Sequence, residues 1–505
     1  MNMLLRFPTT VLIFIAILWV KAIYPASSGI ADTDFFWHLT YGRWMVEHSA
    51  IPTGDIFSWT FAGQPYQLTQ WMGEAAMGIA YNLGGLGGTK ILSVVLAGIT
   101  IGFAWLGARR YVHNSVAFGL AVLCNLVQIV TPMRPQLFSF ALLAIAAYLV
   151  VSYIETRRPK YLIAYPALMA FWVNLHGGFI VGLLLIGMLA AGLTGEALLA
   201  KRLKASIREL IPVWVTVAAA TVATLLNPYG INAILTVLMI GGLRSSSVIS
   251  EWMPVNLTNE LGWFYLLNLV PFVALMSISE EKPRLTHGMI AGFFLVFGVL
   301  ANRQVAMCAA VMAPVTAALL SRTPHYARML PTLEDPSRPI IYTLILAMLA
   351  GSFPAIAAKG NGTWDATLNL QYPIKASDYL EQHDLSGRVL SDTLEASYLI
   401  HRGIPVFVDG RMDLYRDQFY FEWYLASRAT PGWEKVLEMH KPKALLLRLD
   451  MAIRQAALAG GKWKQVYEDD RYSILVPTES HLPAVAPKEL TYLDGKGGML
   501  RPYMP

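Results

Sequence analysis

The sequence predicts a polytopic α-helical membrane protein with about eleven transmembrane helices and a small α/β domain at its C-terminal end. Three observations carry this expectation. The 505 residues are 55% hydrophobic and only 14% charged, against about 25% charged in ordinary soluble domains. Apolar windows near the ~20 residues that cross a bilayer recur along the chain. After Lys359 these windows stop and charged residues become frequent. The expected division is therefore a membrane core over 1–358 and a second domain over 359–505.

The windows fall at 8–24, 90–108, 114–132, 136–154, 161–177, 179–197, 210–226, 262–279, 285–301, 304–320 and 339–357. The first exceeds the apolar run of ~7–15 residues typical of a signal peptide, so it reads as a retained helix. Counting from a cytoplasmic N-terminus, the even gaps read ARRYVHN, ETRRPKY, AKRLKASIREL, SEEKPRLT and SRTPHYARMLPTLEDPSRP. All carry Lys or Arg, as the positive-inside rule asks of cytoplasmic turns. The formal charge of +6 is thereby explained by topology, and nucleic acid is not an expected partner. Cys124 and Cys308 lie in apolar windows without metal-ligand spacing, so neither a disulfide nor a zinc site is expected.

The odd gaps hold the polar residues that look out of place. The longest, about 27–88, contains DTDFFWHLTYGRW, with Asp32 and Asp34 directly after the first apolar run. An acid at a helix centre costs roughly 2.5–3.5 kcal/mol on insertion scales, so these two need a reason. Residues 34–47 and 71–82 have the spacing of amphipathic helices lying in the membrane interface, joined by a turn-rich link through Pro52, Gly54, Gly63 and Pro65. Asp34 can N-cap the first of them. The D-x-D string can also hold a divalent cation, Mg2+ or Mn2+, through hard oxygen ligands.

Later odd gaps add Arg134 in MRPQ, Asn174 and His176 in NLHGG, Asn227 to Gly230 in NPYG, Glu251 and Trp252 in SEW, and Arg303 in ANRQ. Arginines at helix ends snorkel to headgroups, yet outside arginines run against the positive-inside bias, and guanidinium groups suit bidentate phosphate recognition. Trp37, Trp44, Trp59 and Trp71 fit an interfacial belt, or flat surfaces for a sugar. Together these residues describe a site at the outer face. A carboxylate there can take a proton from an acceptor hydroxyl, and arginines can offset charge on a leaving phosphate.

Beyond residue 359, RVLSD, PVFVDG, ALLLRL and YSILVP read as strands, and IKASDYLEQHD and RDQFYFEWYLASR as helices. The domain follows an odd-numbered span and is expected outside, with a Pro- and Gly-rich extended tail. FVDGRMDLY places Asp409, Arg411 and Asp413 at a strand end. It reads as an Arg–Asp lock at the domain boundary, with acceptor recognition as the alternative.

On these features the chain resembles the GT-C-fold integral membrane glycosyltransferases that use polyprenyl-phosphate-linked sugars. It is most similar to a group of bacterial membrane proteins in which the strings at 32–39, 51–58, 172–177, 227–230, 251–252 and 409–415 recur. It lacks the WWDYG-type signature of oligosaccharyltransferase catalytic subunits. The resemblance implies a multi-pass protein of the bacterial inner membrane with its C-terminal domain periplasmic. It implies an essential acid in the first outer loop, carried by Asp34 with Asp32 and Glu251 as further catalytic candidates. Arg134, Arg303 and His176 are then the candidates for donor phosphate, and Trp37, His38, Asn174 and Trp252 for substrate. The expected partners are the lipid bilayer, a polyprenyl-phosphate-linked sugar, and a lipid, glycan or protein acceptor. A polysaccharide polymerase or ligase, or an assembly scaffold, shares this layout. A transporter or flippase fits less well, because transporters place charge and helix breaks at mid-membrane.

Overall fold

The computed structural model describes residues 9–23, 32–279, 281–329 and 372–487. The apolar windows within them all lie on helices: α1 (Thr9–Ile23), α3 (Trp71–Ala108), α4 (Asn114–Cys124) continuing into α5 (Val127–Val130), α6 (Gln136–Thr156), α7 (Lys160–Trp172), α8 (Phe179–Leu199), α9 (Leu203–Ala223), α11 (Glu260–Ile278), α12 (Leu285–Leu300) and α13 (Val305–Leu320). The window at 339–357 lies outside the described residues. Shorter helices are α2 (Phe35–His48), α10 (Asn232–Gly241) and α14 (Pro324–Met329).

Six helical segments among the described residues are long and apolar enough to cross a bilayer. The expected count of eleven is not reached by length. One reason is local: α4 stops where the Asn125 side chain bonds back to the Ala121 carbonyl at 3.0 Å, and α7 ends after thirteen residues. The bundle is built around α6 and α13, whose apolar windows are 78% and 83% buried. Their alanines let neighbouring backbones approach closely, the means by which helices associate where the solvent is itself apolar. Lys21 ties α1 to the turn before Arg134 through the carbonyls of Gln128 at 2.7 Å and Thr131 at 3.0 Å. Cys124 and Cys308 are buried and free.

The two amphipathic helices form, but not as helices lying on a membrane surface. The second is the first part of α3, set off by a break at Gly84 and Gly85, where Gly85 adopts φ 58, a left-handed conformation that glycine tolerates. Gly42 of α2 packs directly on this segment; a Cβ there would sit 2.9 Å from the Gly78 nitrogen. Helix α2 is buried on two sides. Phe35, Phe36 and Leu39 join the bundle core, whereas Trp37, Tyr41 and Met45 join the core of the C-terminal domain.

That domain contains α15 (Ile374–Gln382), β1 (Val389–Ser391), α16 (Thr393–His401), α17 (Met412–Ser427), α18 (Glu434–His440), β2 (Ala444–Arg448), α19 (Ala452–Ala459), β3 (Trp463–Glu468) and β4 (Tyr472–Pro477). The sheet order is β1-β2-β4-β3, with β1 parallel to β2 and the other pairs antiparallel. Strand β3, WKQVYE, escaped the sequence reading because its buried positions do not alternate cleanly. PVFVDG is not a named strand. Val406 instead makes single bridges to Val389 and to Ser58 of the first loop, so the loop is stitched along the sheet edge. Trp59 Nε1 and Thr60 Oγ1 add bonds to the carbonyls of Val389 and Phe407, at 2.9 and 2.6 Å.

The same junction holds a buried ion-pair network. Arg411 donates to both oxygens of Asp409 at 2.8 and 2.6 Å, to Asp55 at 2.6 Å and to Tyr41 Oη at 2.6 Å. Tyr415 Oη donates to Asp409 at 2.9 Å. Arg411, Asp409 and Asp55 have no exposed side-chain surface, so FVDGRMDLY is a lock between first loop and C-terminal domain. Removing one member of such a network leaves buried charge uncompensated, and Arg411→Ala is expected to cost about 3–5 kcal/mol. Thermal unfolding of the purified variant, compared with wild type, measures this.

Candidate active site

Three acids from two separate parts of the chain meet one guanidinium. Arg134, in the turn before α6, lies 2.5 Å from Asp32 through Nε and 2.7 Å from Asp34 through Nη2. Its Nη1 reaches both oxygens of Glu251, at 2.7 and 2.8 Å. Nη1 and Nη2 thus hydrogen-bond to carboxylates, while Nε lies in ion-pair contact with Asp32 without hydrogen-bond geometry. The sequence offered Arg134 as a phosphate ligand; in the structure it is the counter-ion that gathers the acids.

The acids are not equivalent. Asp34 occupies the N-cap position of α2, but its carboxylate makes no capping bond. The backbone N–H of Asp34 instead donates to Asp32 Oδ1 at 2.8 Å. The Asp32 side chain is 5% exposed, that of Asp34 25% and that of Glu251 37%. Asp32 is a buried support, while Asp34 and Glu251 are reachable from outside. Burial pushes the Asp32 carboxyl up to about 7 against the pull of Arg134, with Asp34 adding to the rise. Burial also raises Asp34, again opposed by Arg134. Burial acts in the same direction on Glu251, but Arg134 and Arg303 outweigh it and hold Glu251 below the usual range. Three carboxylates around one guanidinium carry excess negative charge, and desolvation makes that excess costly, so a proton is retained.

Arg303 stands beside this group. Its guanidinium stacks over the Trp252 ring at 4.4 Å, a cation–π contact, and it forms no ion pair among the described residues. Arg303 and Trp252 therefore lie beside the acid cluster, with the guanidinium paired to no carboxylate among the described residues.

Other candidates sit differently. Trp37 is 4% exposed and its ring lies 3.6 Å from that of His38, so it offers no open floor for a sugar and belongs to no interfacial belt. His38 is buried, with Nδ1 2.8 Å from Glu74 Oε1. Burial, reinforced by Arg134 and His176, holds it well below the usual histidine range and hence neutral. Asn174 is structural: it accepts from Trp71 Nε1 at 3.0 Å and donates to the carbonyls of Ala170 and Leu226 at 2.9 Å. His176 Nδ1 faces Ser139 Oγ at 2.8 Å and accepts from the Gly178 N–H at 3.0 Å, which leaves only Nε2 for a ligand. Trp59 and Trp71 likewise spend their indole N–H groups on internal bonds. Glu74 was missed by sequence reading, since one acid on an amphipathic helix looks like its solvated face.

A divalent cation at these acids would compete with Arg134 for one oxygen of Asp32, one of Asp34 and both of Glu251. No cluster of three or more His, Cys, Asp or Glu placed for a metal exists among the described residues.

No family model matches the chain, and no curated protein does. Solved structures do. ArnT from Cupriavidus metallidurans bound to undecaprenyl phosphate aligns with a TM-score of 0.50 at 16% identity, over 93% of this chain and 98% of that one. The Archaeoglobus fulgidus oligosaccharyltransferase tethered to an acceptor peptide containing the NVT sequon aligns with a TM-score of 0.53 at 13% identity, over 95% and 76%. The AglB oligosaccharyltransferase of the same organism, in complex with an inhibitory peptide and a dolichol-phosphate, gives 0.52 at 11%, over 95% and 76%.

The chain carries the GT-C fold. It is a multi-pass membrane protein with a small C-terminal sheet domain. At these identities the likeness establishes the fold alone.

The retained proton sets the sign of a pH effect. A carboxyl whose folded pKa is raised binds more protons folded than unfolded, so its contribution to stability falls as pH rises through about 7. In the neutral variant Asp32→Asn that term is gone. The melting-temperature difference, variant minus wild type, is expected to increase from pH 5 to pH 8 in a thermal-shift series.

Proposed function

We propose that this protein is a membrane glycosyltransferase that moves a sugar from a polyprenyl-phosphate-linked donor to an acceptor, a lipid, glycan or protein, on the extracytoplasmic face of the bacterial inner membrane. The observation that carries the reading is the convergence of Asp34, Glu251, Arg134 and Arg303 on one site in a chain with the fold of ArnT and oligosaccharyltransferase.

Asp34 is the base. Among the buried acids of the first loop it is the reachable one, and its raised affinity for a proton suits it to take one from an acceptor hydroxyl. The deprotonated oxygen attacks the anomeric carbon, the bond from that carbon to the phosphate oxygen breaks, and polyprenyl phosphate leaves. Arg303, not yet paired with a carboxylate, meets the charge that develops on the leaving phosphate. Arg134 and Asp32 hold the Asp34 carboxylate in position, and Glu251 anchors the opposite side of the same guanidinium. No step passes through a metal ion.

Purified protein in lipid nanodiscs, given a panel of undecaprenyl-phosphate-linked sugars, is expected to release undecaprenyl phosphate. Asp34→Asn should lose about 100-fold or more in turnover, the usual scale of general-base catalysis. Equal turnover by that variant would remove the role assigned to Asp34. Because burial raises the Asp34 pKa, the acid limb of the wild-type pH profile should lie above the ordinary carboxylate range near ~4. Glu251→Gln, which removes a charge that adds to this rise, should move the limb to lower pH. Metal independence is checked separately: turnover after dialysis against EDTA should match that of the untreated enzyme, and a loss restored by Mg2+ or Mn2+ would contradict it.

A further inference from the structure

The C-terminal domain does more than lock onto the first loop. Its segment 409–417 touches both walls of the site. Gly410, beside the Asp409–Arg411 ion pair, lies against the base itself. A Cβ at position 410 would overlap Asp34 Oδ1, approach Asp34 Cγ to 3.1 Å and reach 3.3 Å from Trp37 Nε1. The Gly410 backbone is outside the positive-φ region, so glycine is not demanded by conformation, and the space taken by Asp34 is what excludes a side chain. The indole N–H of Trp37 is buried beside the same carboxylate without a partner at hydrogen-bond geometry. Asp34 is therefore held between Arg134 on Oδ2 and the Gly410 backbone on Oδ1.

Seven residues on, the same segment reaches the other wall. Arg416 breaks the helical path of α17 with φ 60 and ψ 174. Asp417, just past the break, accepts the backbone N–H groups of Arg244 and Ser245, at 3.0 and 2.8 Å. These begin the turn that runs on to Glu251 and Trp252. One short segment thus bears on the loop carrying Asp34 and on the loop carrying Glu251. The intervening Arg411 is fixed with no exposed surface, between the two contacts.

We propose that 409–417 is a positioning strap, with Gly410 setting the orientation of the Asp34 carboxylate and Asp417 holding the Glu251 loop, so that the site is assembled only with the C-terminal domain docked. This rests on the glycosyltransferase reading for its catalytic consequence, but the contact itself is testable without substrate.

The test is a double-mutant cycle in the full-length protein in nanodiscs. Gly410→Ala should lower the melting temperature by at least about 2 °C in the wild-type background and by much less in an Asp34→Ala background, where the space is vacant. Equal losses in both backgrounds overturn the proposal. If Gly410→Ala alone fails to fold, recovery of folding in the double variant supports the proposal and failure of both variants overturns it. For catalysis, Gly410→Ala should reduce kcat about tenfold or more while undecaprenyl phosphate binding stays within twofold. Its acid limb should move to higher pH, because the displaced carboxylate leaves the Trp37 N–H that favours its ionised form. Asp417→Asn should reduce kcat severalfold with an unchanged melting temperature. A wild-type pH profile for Gly410→Ala overturns the positioning role. Full turnover by Asp34→Asn instead defeats the glycosyltransferase reading, and leaves the stability cycle to decide the contact.

Discussion

A single buried guanidinium organises the functional end of this molecule. Arg134 draws Asp32, Asp34 and Glu251 to distances of 2.5–2.7 Å, although Asp34 and Glu251 lie 100 and 117 positions from it in the chain. Arg134 favours the ionised form of all three acids, and the arginine in turn would be an uncompensated charge without them. The arrangement holds more acid than base, and burial raises the affinity of Asp32 and Asp34 for a proton. A guanidinium is suited to the task because its donors are fixed in one plane and cannot be deprotonated.

The second constraint is the position of α2. Its two apolar faces belong to different cores, one in the bundle and one in the C-terminal domain. The Asp34 at its start is therefore fixed by packing from both sides before any charge interaction is counted. Close approach of Gly42 to Gly78 sets its distance from the first part of α3, and the Arg411 network sets its distance from the C-terminal domain through Tyr41 and Asp55. A base used in group transfer must be held within a fraction of an ångström to be effective. Here rigidity comes from two cores, with the charged cluster seated at their seam.

Much of this was legible in the sequence, and the gaps have physical causes. Apolar windows marked the long helices of the bundle within the described residues, because hydropathy over ~20 residues is a strong local signal, whereas α10 fell in a gap between windows. The two amphipathic helices were also visible, since periodicity acts locally. Span lengths were overestimated where a polar side chain such as Asn125 ends a helix inside an apolar run. Trp37, Asn174 and Glu74 were misjudged or missed because an aromatic ring, an amide or an acid looks the same whether its partner is solvent, ligand or another buried side chain.

Taken alone, the sequence determined that the chain is a multi-helix membrane protein with a charged C-terminal α/β domain, and that its unusual polar residues fall in the odd-numbered gaps. Those properties follow from transfer free energies and short-range periodicity, which each segment carries by itself. Only the tertiary structure decided that Arg134 pairs with the acids while Arg303 pairs with none among the described residues, that Asp32 is buried while Asp34 is partly exposed, and that Gly410 lies against Asp34. Pairing and burial depend on which distant segments come together, and no single stretch of residues encodes that.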